Sequence, residues 1–187
     1  TAVICGCGAM AKGWLKAIAS DDTISERVRI VGLVDLDLET ARTLAEECAL
    51  GELPLYSDLD AALSELKPDL LFDIVVPVAR RTVVEAGLRH GCHVLSEKPM
   101  ANSMEDARHL IARAEEARRV HAVVQNRRYI PGIRRLRAFI ESGALGDLTG
   151  LHADFFIGAH FGGFREDMDH VLLLDMAIHT FDAARFM

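Results

Sequence analysis

The chain has 187 residues, of which half are hydrophobic and 26% are charged, and its formal net charge at pH 7 is −7. This balance is typical of a globular protein with one domain and part of another. The acidic total argues against a nucleic-acid partner, and the apolar runs are far too short to span a membrane.

The chain opens with a short apolar run, Ala2–Cys5, which is typical of a parallel strand buried on both faces. Gly6, Gly8 and Ala11 follow in the pattern Gly-x-Gly-x-x-Ala, and a helical pattern begins there. A glycine at the first position permits a tight turn, one at the second lets a pyrophosphate approach the backbone, and a small third residue allows close helix packing. The helix N-terminus would then offer N–H groups to the phosphates. The pattern predicts a dinucleotide-binding turn.

A second apolar run, Val28–Val34, ends in Asp35, which is 24 residues after Ala11 and close to the expected interval of ~20. An acidic side chain at that point is the acceptor that a ribose 2′-hydroxyl requires. Asp35 could alternatively cap the next helix, a role for which Asp37 competes. No Arg or Lys follows before Arg42, which favours NAD over NADP because the extra phosphate of NADP needs a nearby cation.

Periodicity and turn residues predict that helices and strands alternate along the next hundred residues. After a loop at Asp21–Glu26 and the second strand, the predicted helices are Leu38–Cys48, Ser57–Lys67 with Ser57 as N-cap, Thr82–Arg89, and Ser103–Arg118 with Ser103 in a capping box. The remaining predicted strands are Leu55–Tyr56, Leu70–Val76, His93–Ser96 and Val120–Val124. This alternation predicts an α/β fold with a doubly wound parallel sheet, a Rossmann domain at residues 1–126.

The pattern changes after Gln125, and we expect residues 127–187 to begin an α+β substrate domain. The predicted elements there are a helix at Pro131–Glu141, a strand at Leu148–Phe156, a loop at residues 157–169 and a helix at Val171–Met187. The arginines of the first helix are interpreted as its solvated face. Thr1 precedes the first strand by one residue and Met187 falls within a helical pattern, so we expect a segment of a longer chain.

The fifth predicted strand ends in Ser96-Glu97-Lys98-Pro99. Ligands of an open parallel sheet bind outside the carboxyl ends of its strands, so Lys98 would face the cofactor crevice. The alternative is an ordinary surface lysine.

The last predicted helix places Asp175, His179 and Asp182 on one face, at positions i, i+4 and i+7. The surrounding residues are apolar, so we expect a largely buried helix whose polar residues need partners or a cleft. A His–Asp pair within a core is one alternative. A metal site is another, since three more histidines are near in sequence, His152, His160 and His170, although no third ligand is defined by spacing. We predict no metal.

Five stretches together resemble the glucose–fructose oxidoreductase/inositol dehydrogenase (Gfo/Idh/MocA) family. They are Gly6–Ala11, Gly32–Asp35, Gly91–Met100, Asn126–Tyr129 and Asp175–Asp182. Glu-Lys-Pro after strand five combined with a later Asp-x-x-x-His is the specific part. The resemblance covers the whole chain as the N-terminal half or so of such a protein.

The resemblance implies reversible hydride transfer between NAD, with NADP as the alternative, and a secondary alcohol of a sugar, cyclitol or related polyol. It implies Lys98 and His179 as the catalytic pair, with Asp175 orienting them. The implied cofactor-binding residues are Gly6, Gly8, Ala9, Met10, Ala11, Asp35, Pro77, Glu97 and Lys98. The implied substrate-binding residues are Lys98, Asn126, Arg127, Asp175 and His179. It also implies a homo-oligomer formed through the second domain.

The sequence departs from the family after the fourth strand, where a Thr-Pro turn and a His are usual. Here Val76-Pro77 is followed by Arg80 and Arg81, which receive no role. The family's second domain is a large, mostly antiparallel sheet, of which only one strand and one helix are predicted here. A glycoside-cleaving relative and a nucleotide-sensing binding protein are the alternative functions.

The four cysteines form no CxxC pair and no metal-ligand spacing. With no signal peptide in the sequence, we expect reduced thiols in a cytoplasmic protein without a membrane partner.

Overall fold

The structure is a computed structural model that describes residues 1–158, 162–166 and 168–187. The chain divides into two compact units, Thr1–Val124 and Gln125–Met187.

The first unit contains a six-stranded parallel sheet. Its strands are β1 (Ala2–Cys5), β2 (Ile30–Val34), β3 (Leu55–Tyr56), β4 (Leu70–Asp73), β5 (His93–Ser96) and β6 (His121–Val123). Their order across the sheet is β3-β2-β1-β4-β5-β6, with all five neighbouring pairs parallel. The order reverses between β1 and β4, which is the topological switch point where ligands of such sheets bind.

Helices connect successive strands of this sheet. They are α1 (Ala9–Ala19), α2 (Asp22–Ser25), α3 (Leu38–Glu47), α4 (Leu59–Leu66), α5 (Pro77–Arg89) and α6 (Met104–Ala117). The predicted doubly wound α/β fold is confirmed.

The core lies on both faces of the sheet, and β1 contributes to each face because successive side chains of a strand point in opposite directions. Val3 and Cys5 belong to a buried cluster with α4, α5 and α6, whereas Ile4 belongs to a second cluster with α1 and α3. Val3 and Ile4 are fully buried, and each stabilises the fold by about 1.5–3 kcal/mol through apolar burial. These two clusters hold the central strand, and with it the turn that follows β1.

Several element boundaries differ from the prediction, and in each case a local interaction explains the difference. Helix α5 begins at Pro77 rather than Thr82, because the fixed φ of proline suits the first helical position. Asp58, not Ser57, caps α4, accepting a hydrogen bond from the Ala61 N–H at 2.7 Å. The predicted loop at Asp21–Glu26 contains the short helix α2, which Asp21 caps.

The second unit is helical in its regular parts. It contains a 3-10 helix at Asn126–Tyr129, α7 at Pro131–Glu141, a 3-10 turn at Gly163–Arg165, a π-helical turn at Leu172–Met176 and α8 at Ala177–Phe186. The predicted helix at Pro131–Glu141 is confirmed.

The predicted strand at Leu148–Phe156 is wrong, because these residues form no regular secondary structure. A strand requires a hydrogen-bonding neighbour. All the strands in the described part of the chain belong to the sheet of the first unit, so this alternating stretch has none to pair with in its own unit.

Within the described residues, no helix combines the length and the apolar character that crossing a membrane would need.

Candidate functional site

The turn after β1 fits against the residues that follow β4. Gly6 has φ +91°, and a Cβ on it would lie 2.8 Å from the backbone carbon and oxygen of Ile74 and from the backbone nitrogen of Val75. Only glycine fits there. At Gly8, by contrast, a Cβ would meet nothing within 4 Å, so the backbone borders open space. This is the arrangement that a diphosphate approaching the turn requires.

In the first unit, two helices lack a capping side chain at the N-terminus, and both follow strands that flank the switch point. Helix α1 follows β1 with Gly8 as N-cap, and α5 follows β4 with Val76 as N-cap; neither makes a side-chain cap hydrogen bond. The caps of α3, α4 and α6 are side chains that accept a backbone N–H: Asp37, Asp58 and Ser103. Open helix N-termini with partial positive charge lie where an anionic group would bind.

Asp35 links the end of β2 to the glycine turn. Its Oδ2 accepts a hydrogen bond from the Cys7 N–H at 2.7 Å, and its Oδ1 accepts one from the Asp37 N–H at 3.0 Å. Asp37 is the residue that caps α3, accepting from the Glu39 N–H. The capping role considered for Asp35 is therefore wrong, and a carboxylate with four lone-pair positions retains acceptor capacity for a hydroxyl group.

A cavity of about 280 Å³ lies between the glycine turn and α3. Its lining residues are Cys7, Gly8, Ala9, Lys12, Asp37, Glu39, Thr40, Thr43, Leu44 and Glu47. Lys12 forms a salt bridge with Glu47 at 2.9 Å, and Glu39 pairs with Arg42, so the lining itself carries three carboxylates and one ammonium group. This lining disfavours an additional phosphate near Asp35.

The four cysteines are free thiols. Burial, with the nearby Asp35 carboxylate, raises the pKa of the Cys7 thiol to about 12, and burial raises the pKa of Cys92 to about 11. Both are therefore poor nucleophiles at neutral pH.

Hydrogen bonds to the Glu97 carboxylate connect the residues after β5 to α1. The Trp14 indole N–H donates to Glu97 Oε1 at 2.8 Å, and the backbone N–H of Lys98 donates to Glu97 Oε2 at 3.1 Å. Trp14 itself packs edge-on against Phe72 of β4, with 5.4 Å between ring centroids. Half-buried Lys98 thus lies at the carboxyl edge of the sheet, beside the neighbouring β4 end.

Arg80 is the functional candidate that sequence reasoning missed. Its side chain is 1% exposed, and its Nε donates to Oδ2 of the equally buried Asp73 at 2.8 Å. Its two Nη atoms donate to the backbone carbonyls of Val75, at 2.8 Å, and Pro99. Burial raises the pKa of the Asp73 carboxyl, and the Arg80 guanidinium opposes that rise. An acidic residue within an apolar strand was the available signal, because a buried carboxylate needs a partner.

Next to this pair, His121 lies with its Nε2 3.0 Å from Ser96 Oγ. Burial, together with the charge of Arg80, lowers the pKa of His121 to about 4. The imidazole is therefore neutral at physiological pH.

In the second unit, the polar face of the last helix is its buried face. Asp175, His179 and Asp182 are 2%, 8% and 8% exposed. Four of the apolar residues around them are exposed, Leu172, Leu173, Leu174 and Phe181, whereas Met176 is buried. The expectation of a largely buried helix is wrong at these four apolar residues, while the three polar residues do share one buried face.

Each carboxylate of this face has an arginine partner. Arg165 Nε donates to Asp175 Oδ2 at 2.8 Å, and Arg128 donates through two nitrogens to both oxygens of Asp182. Charge-assisted pairs of this kind make burial of carboxylates tolerable. Neither arginine was predicted as the partner of its carboxylate, because each comes from a segment outside the last helix.

Two further predicted site residues, Asn126 and Arg127, belong to the second unit. Arg127 lies over the ring of Phe155, with its guanidinium carbon 5.0 Å from the ring centroid, and Asn126 begins the first 3-10 helix. Among the described residues, no group of three or more His, Cys, Asp or Glu is arranged to hold a metal ion. His160, considered for the metal alternative, lies outside the described residues.

Comparison with known proteins identifies the sequence family. The sequence model of GFO_IDH_MocA, an oxidoreductase family with an NAD-binding Rossmann fold, matches residues 1–125. Uncharacterized protein y4oX of Sinorhizobium fredii is 24% identical over 181 residues, which are 95% of this chain and 50% of that protein. D-apiose dehydrogenase of Paraburkholderia graminis is 29% identical over 188 residues, 97% of this chain and 48% of that protein. The chain spans about half the length of these relatives.

Two solved structures share the fold at lower identity. An oxidoreductase from Agrobacterium radiobacter, in complex with NAD⁺, L-tartaric acid and magnesium, superposes with a TM-score of 0.79 and 21% identity over 99% of this chain and 53% of its own. Myo-inositol 2-dehydrogenase from Lactobacillus plantarum superposes with a TM-score of 0.81 and 17% identity over 99% of this chain and 55% of its own. These similarities establish the fold.

Proposed function

We propose that the full-length protein is an NAD-dependent dehydrogenase of a polyhydroxylated substrate. The chain belongs to the GFO_IDH_MocA oxidoreductase family, which has an NAD-binding Rossmann fold. The reaction would be reversible oxidation of a secondary alcohol on a sugar, cyclitol or related polyol. The observation that carries this proposal is the carboxyl edge of the sheet at the switch point. The glycine turn follows β1, helix N-termini without side-chain caps follow β1 and β4, and Lys98 comes two residues after the end of β5.

The described residues fit a dinucleotide. The open space at Gly8 and the N-terminus of α1 would receive the diphosphate, and Asp35 would accept from a ribose hydroxyl. The acidic cavity lining beside Asp35 supports NAD rather than NADP. Ala9, Met10, Ala11, Pro77 and Glu97 complete the proposed cofactor set. When bound, the nicotinamide supplies a hydride acceptor.

The side chains of the proposed site would remove the hydroxyl proton and stabilise the charge on the oxygen. When a secondary alcohol is oxidised, the carbinol carbon loses a hydrogen with both bonding electrons to the cofactor, and the hydroxyl group loses its proton. His179 would take that proton as general base. Lys98 would stabilise the negative charge that develops on the oxygen. Asp175 would orient the pair, and Asn126 and Arg127 would contact the substrate.

The relatives support the substrate class. Beyond D-apiose dehydrogenase, proteins named D-glucoside 3-dehydrogenase of Escherichia coli and inositol 2-dehydrogenase of Pseudomonas syringae are 29% and 27% identical over 168 and 160 residues. We therefore propose a pentose, hexose or inositol ring. The start of a substrate domain at residue 127 and the homo-oligomer stay predictions.

The test uses the full-length protein in two steps. Calorimetric titration with NAD and with NADP measures cofactor binding, and a screen of pentoses, hexoses, inositols and sugar acids measures NADH formation. We expect tighter binding of NAD and turnover of at least one polyol. Absence of nucleotide binding would refute the proposal, and tight NAD binding without turnover would favour a nucleotide sensor.

A further inference from the structure

The segments that follow β4 and β5 are joined by the buried side chain of Arg80. Strands β4 and β5 are neighbours, with Asp73 opposite Ser96, and the Glu97 N–H donates to the Asp73 carbonyl at 2.9 Å. Beyond these residues the ladder ends, and the two segments leave the sheet separately. Arg80, from the first turns of α5, reaches both of them.

The guanidinium of Arg80 binds three acceptors in three directions. Nε donates to the Asp73 carboxylate, one Nη to the Val75 carbonyl after β4, and the other Nη to the Pro99 carbonyl after β5. A planar guanidinium has donors in a fixed geometry, so it holds its acceptors at defined relative positions. A lysine, with one rotatable ammonium group, cannot bridge the same three acceptors.

Pro99 directly follows Lys98. Fixing the Pro99 carbonyl on one side of Lys98, while Glu97 accepts from the Lys98 N–H on the other, restricts the backbone from which the lysine side chain projects. We propose that Arg80 is a positioning residue that holds Lys98 at the carboxyl edge of the sheet. The proposal concerns the backbone of residues 97–99, and its catalytic consequence rests on the proposed dehydrogenase function.

Complete burial of Arg80 argues for this role over a merely local ion pair. A surface salt bridge would satisfy an arginine at much lower desolvation cost. Arg81 shows that alternative one residue away, since it is half-exposed and pairs with Glu85 and Asp106. The chain therefore contains its own matched control.

The first measurement is hydrogen exchange of the backbone N–H groups of residues 97, 98, 100 and 101 in the full-length protein, followed by mass spectrometry; Pro99 has no N–H. Arg80→Met removes all three donors, and we expect exchange of this segment to accelerate by about tenfold or more, because its closing contacts are lost. Arg81→Met should leave this segment unchanged. Equal exchange of this segment in Arg80→Met and Arg81→Met would overturn the proposal.

The second measurement separates kcat from KM. For Arg80→Met we expect kcat to fall on the order of 10²-fold, the scale for a small displacement of a reacting group. The dissociation constant for NAD should change by less than about tenfold, since Arg80 donates to the Val75 carbonyl beside the glycine turn but to no residue of the turn itself. The kcat of Arg80→Lys should lie between that of Arg80→Met and that of the wild type. Unchanged kcat in Arg80→Met with an active wild type would overturn the catalytic consequence.

A third variant tests whether faster exchange in Arg80→Met results only from destabilisation of the fold. Arg80→Met leaves the buried Asp73 carboxylate without its guanidinium partner, whereas Asp73→Asn combined with Arg80→Met removes both charges of the pair. The double variant should show the same faster exchange at residues 97–101, and slow exchange there would overturn the proposal. If the wild type turns over no substrate, the proposed function fails, but the exchange comparison still decides whether Arg80 positions the segment.

Discussion

The carboxyl edge of the sheet and the buried face of the last helix are built in opposite ways. At the edge, the turn containing Gly6 and Gly8 and the N-terminus of α1 present backbone groups, with no capping side chain on the helix. On the helix, Asp175 and Asp182 are buried, and each is paired with an arginine.

This difference predicts different consequences of mutation. Backbone N–H groups that face open space cost little without a ligand and become strong donors when an anion binds. Buried carboxylates are tolerated only with their partners, so removing one partner leaves an uncompensated charge. Changes to the open backbone should therefore reduce cofactor binding, whereas changes to the paired side chains should reduce stability.

The largest expected effect separates two glycines of the same turn. Gly6→Ala places a Cβ 2.8 Å from three backbone atoms at φ +91°, and we expect it to destabilise the fold by about 3 kcal/mol. Gly8→Ala enters open space, so the free energy of unfolding should change by less than about 1 kcal/mol while NAD affinity falls about tenfold. Urea denaturation and NAD titration measure the two quantities; equal loss of stability in both variants would contradict the structure.

The next effect tests the paired side chains of the second unit. Arg128→Met removes both nitrogen donors to Asp182, whose side chain is only 9% exposed. The buried carboxylate then lacks its cation, so we expect the free energy of unfolding to fall by about 2–3 kcal/mol. Arg134→Met, an exposed site on α7, should change it by less than about 0.5 kcal/mol. If the two substitutions cost the same in thermal or urea unfolding, Asp182 does not depend on Arg128.

A pH dependence should arise in the first unit from His121. The unfolded imidazole binds a proton near its ordinary pKa, whereas the folded one binds it only near its lowered pKa of about 4. Between these values the unfolded state holds more protons, so stability is complete above about pH 6.5 and is lost as the pH falls towards 4.

We expect this loss to be about 2 kcal/mol, reduced from the full linkage value by partial solvent screening. His121→Asn should flatten the dependence in this range, whereas the same change at the exposed His152 should not. Urea unfolding at several pH values checks this, and identical pH profiles for wild type and His121→Asn would contradict it.

The smallest effect concerns cofactor choice at the open edge. Asp35→Ser removes an acceptor for the ribose hydroxyl and a negative charge beside the cavity, so the preference for NAD over NADP should fall about tenfold, roughly 1.4 kcal/mol. It also removes the carboxylate contacts to Cys7 and Asp37, so affinity for both nucleotides should fall somewhat. Parallel titrations measure the ratio; an unchanged ratio would remove Asp35 from the ribose site.

The fold and the glycine turn could be predicted because their signals are local. An apolar run, two glycines and a small residue at set spacing describe one continuous strand–turn–helix, and repetition of strand and helix implies the doubly wound sheet. The strand at Leu148–Phe156 was wrong because alternation indicates only what a strand could be, whereas pairing depends on a distant neighbour.

The side-chain partners could not be predicted for the same physical reason. Arg80, Arg128 and Arg165 meet their carboxylates across intervals without a fixed spacing. The sequence did indicate that buried Asp175 and Asp182 would need partners. It could not identify which of the arginines would supply them, because that depends on how the segments pack.

The most direct test of the proposed dehydrogenase measures hydride transfer and NAD binding together in the full-length protein, comparing wild type with Lys98→Met and His179→Gln. Single-turnover formation of NADH, followed by absorbance, reports the chemical step, and calorimetry reports the dissociation constant for NAD. We predict that each substitution slows hydride transfer by about 10³-fold or more while NAD affinity changes less than about threefold. Normal hydride transfer in either variant would contradict the assignment of that residue, and normal transfer in both would contradict the proposed catalytic pair.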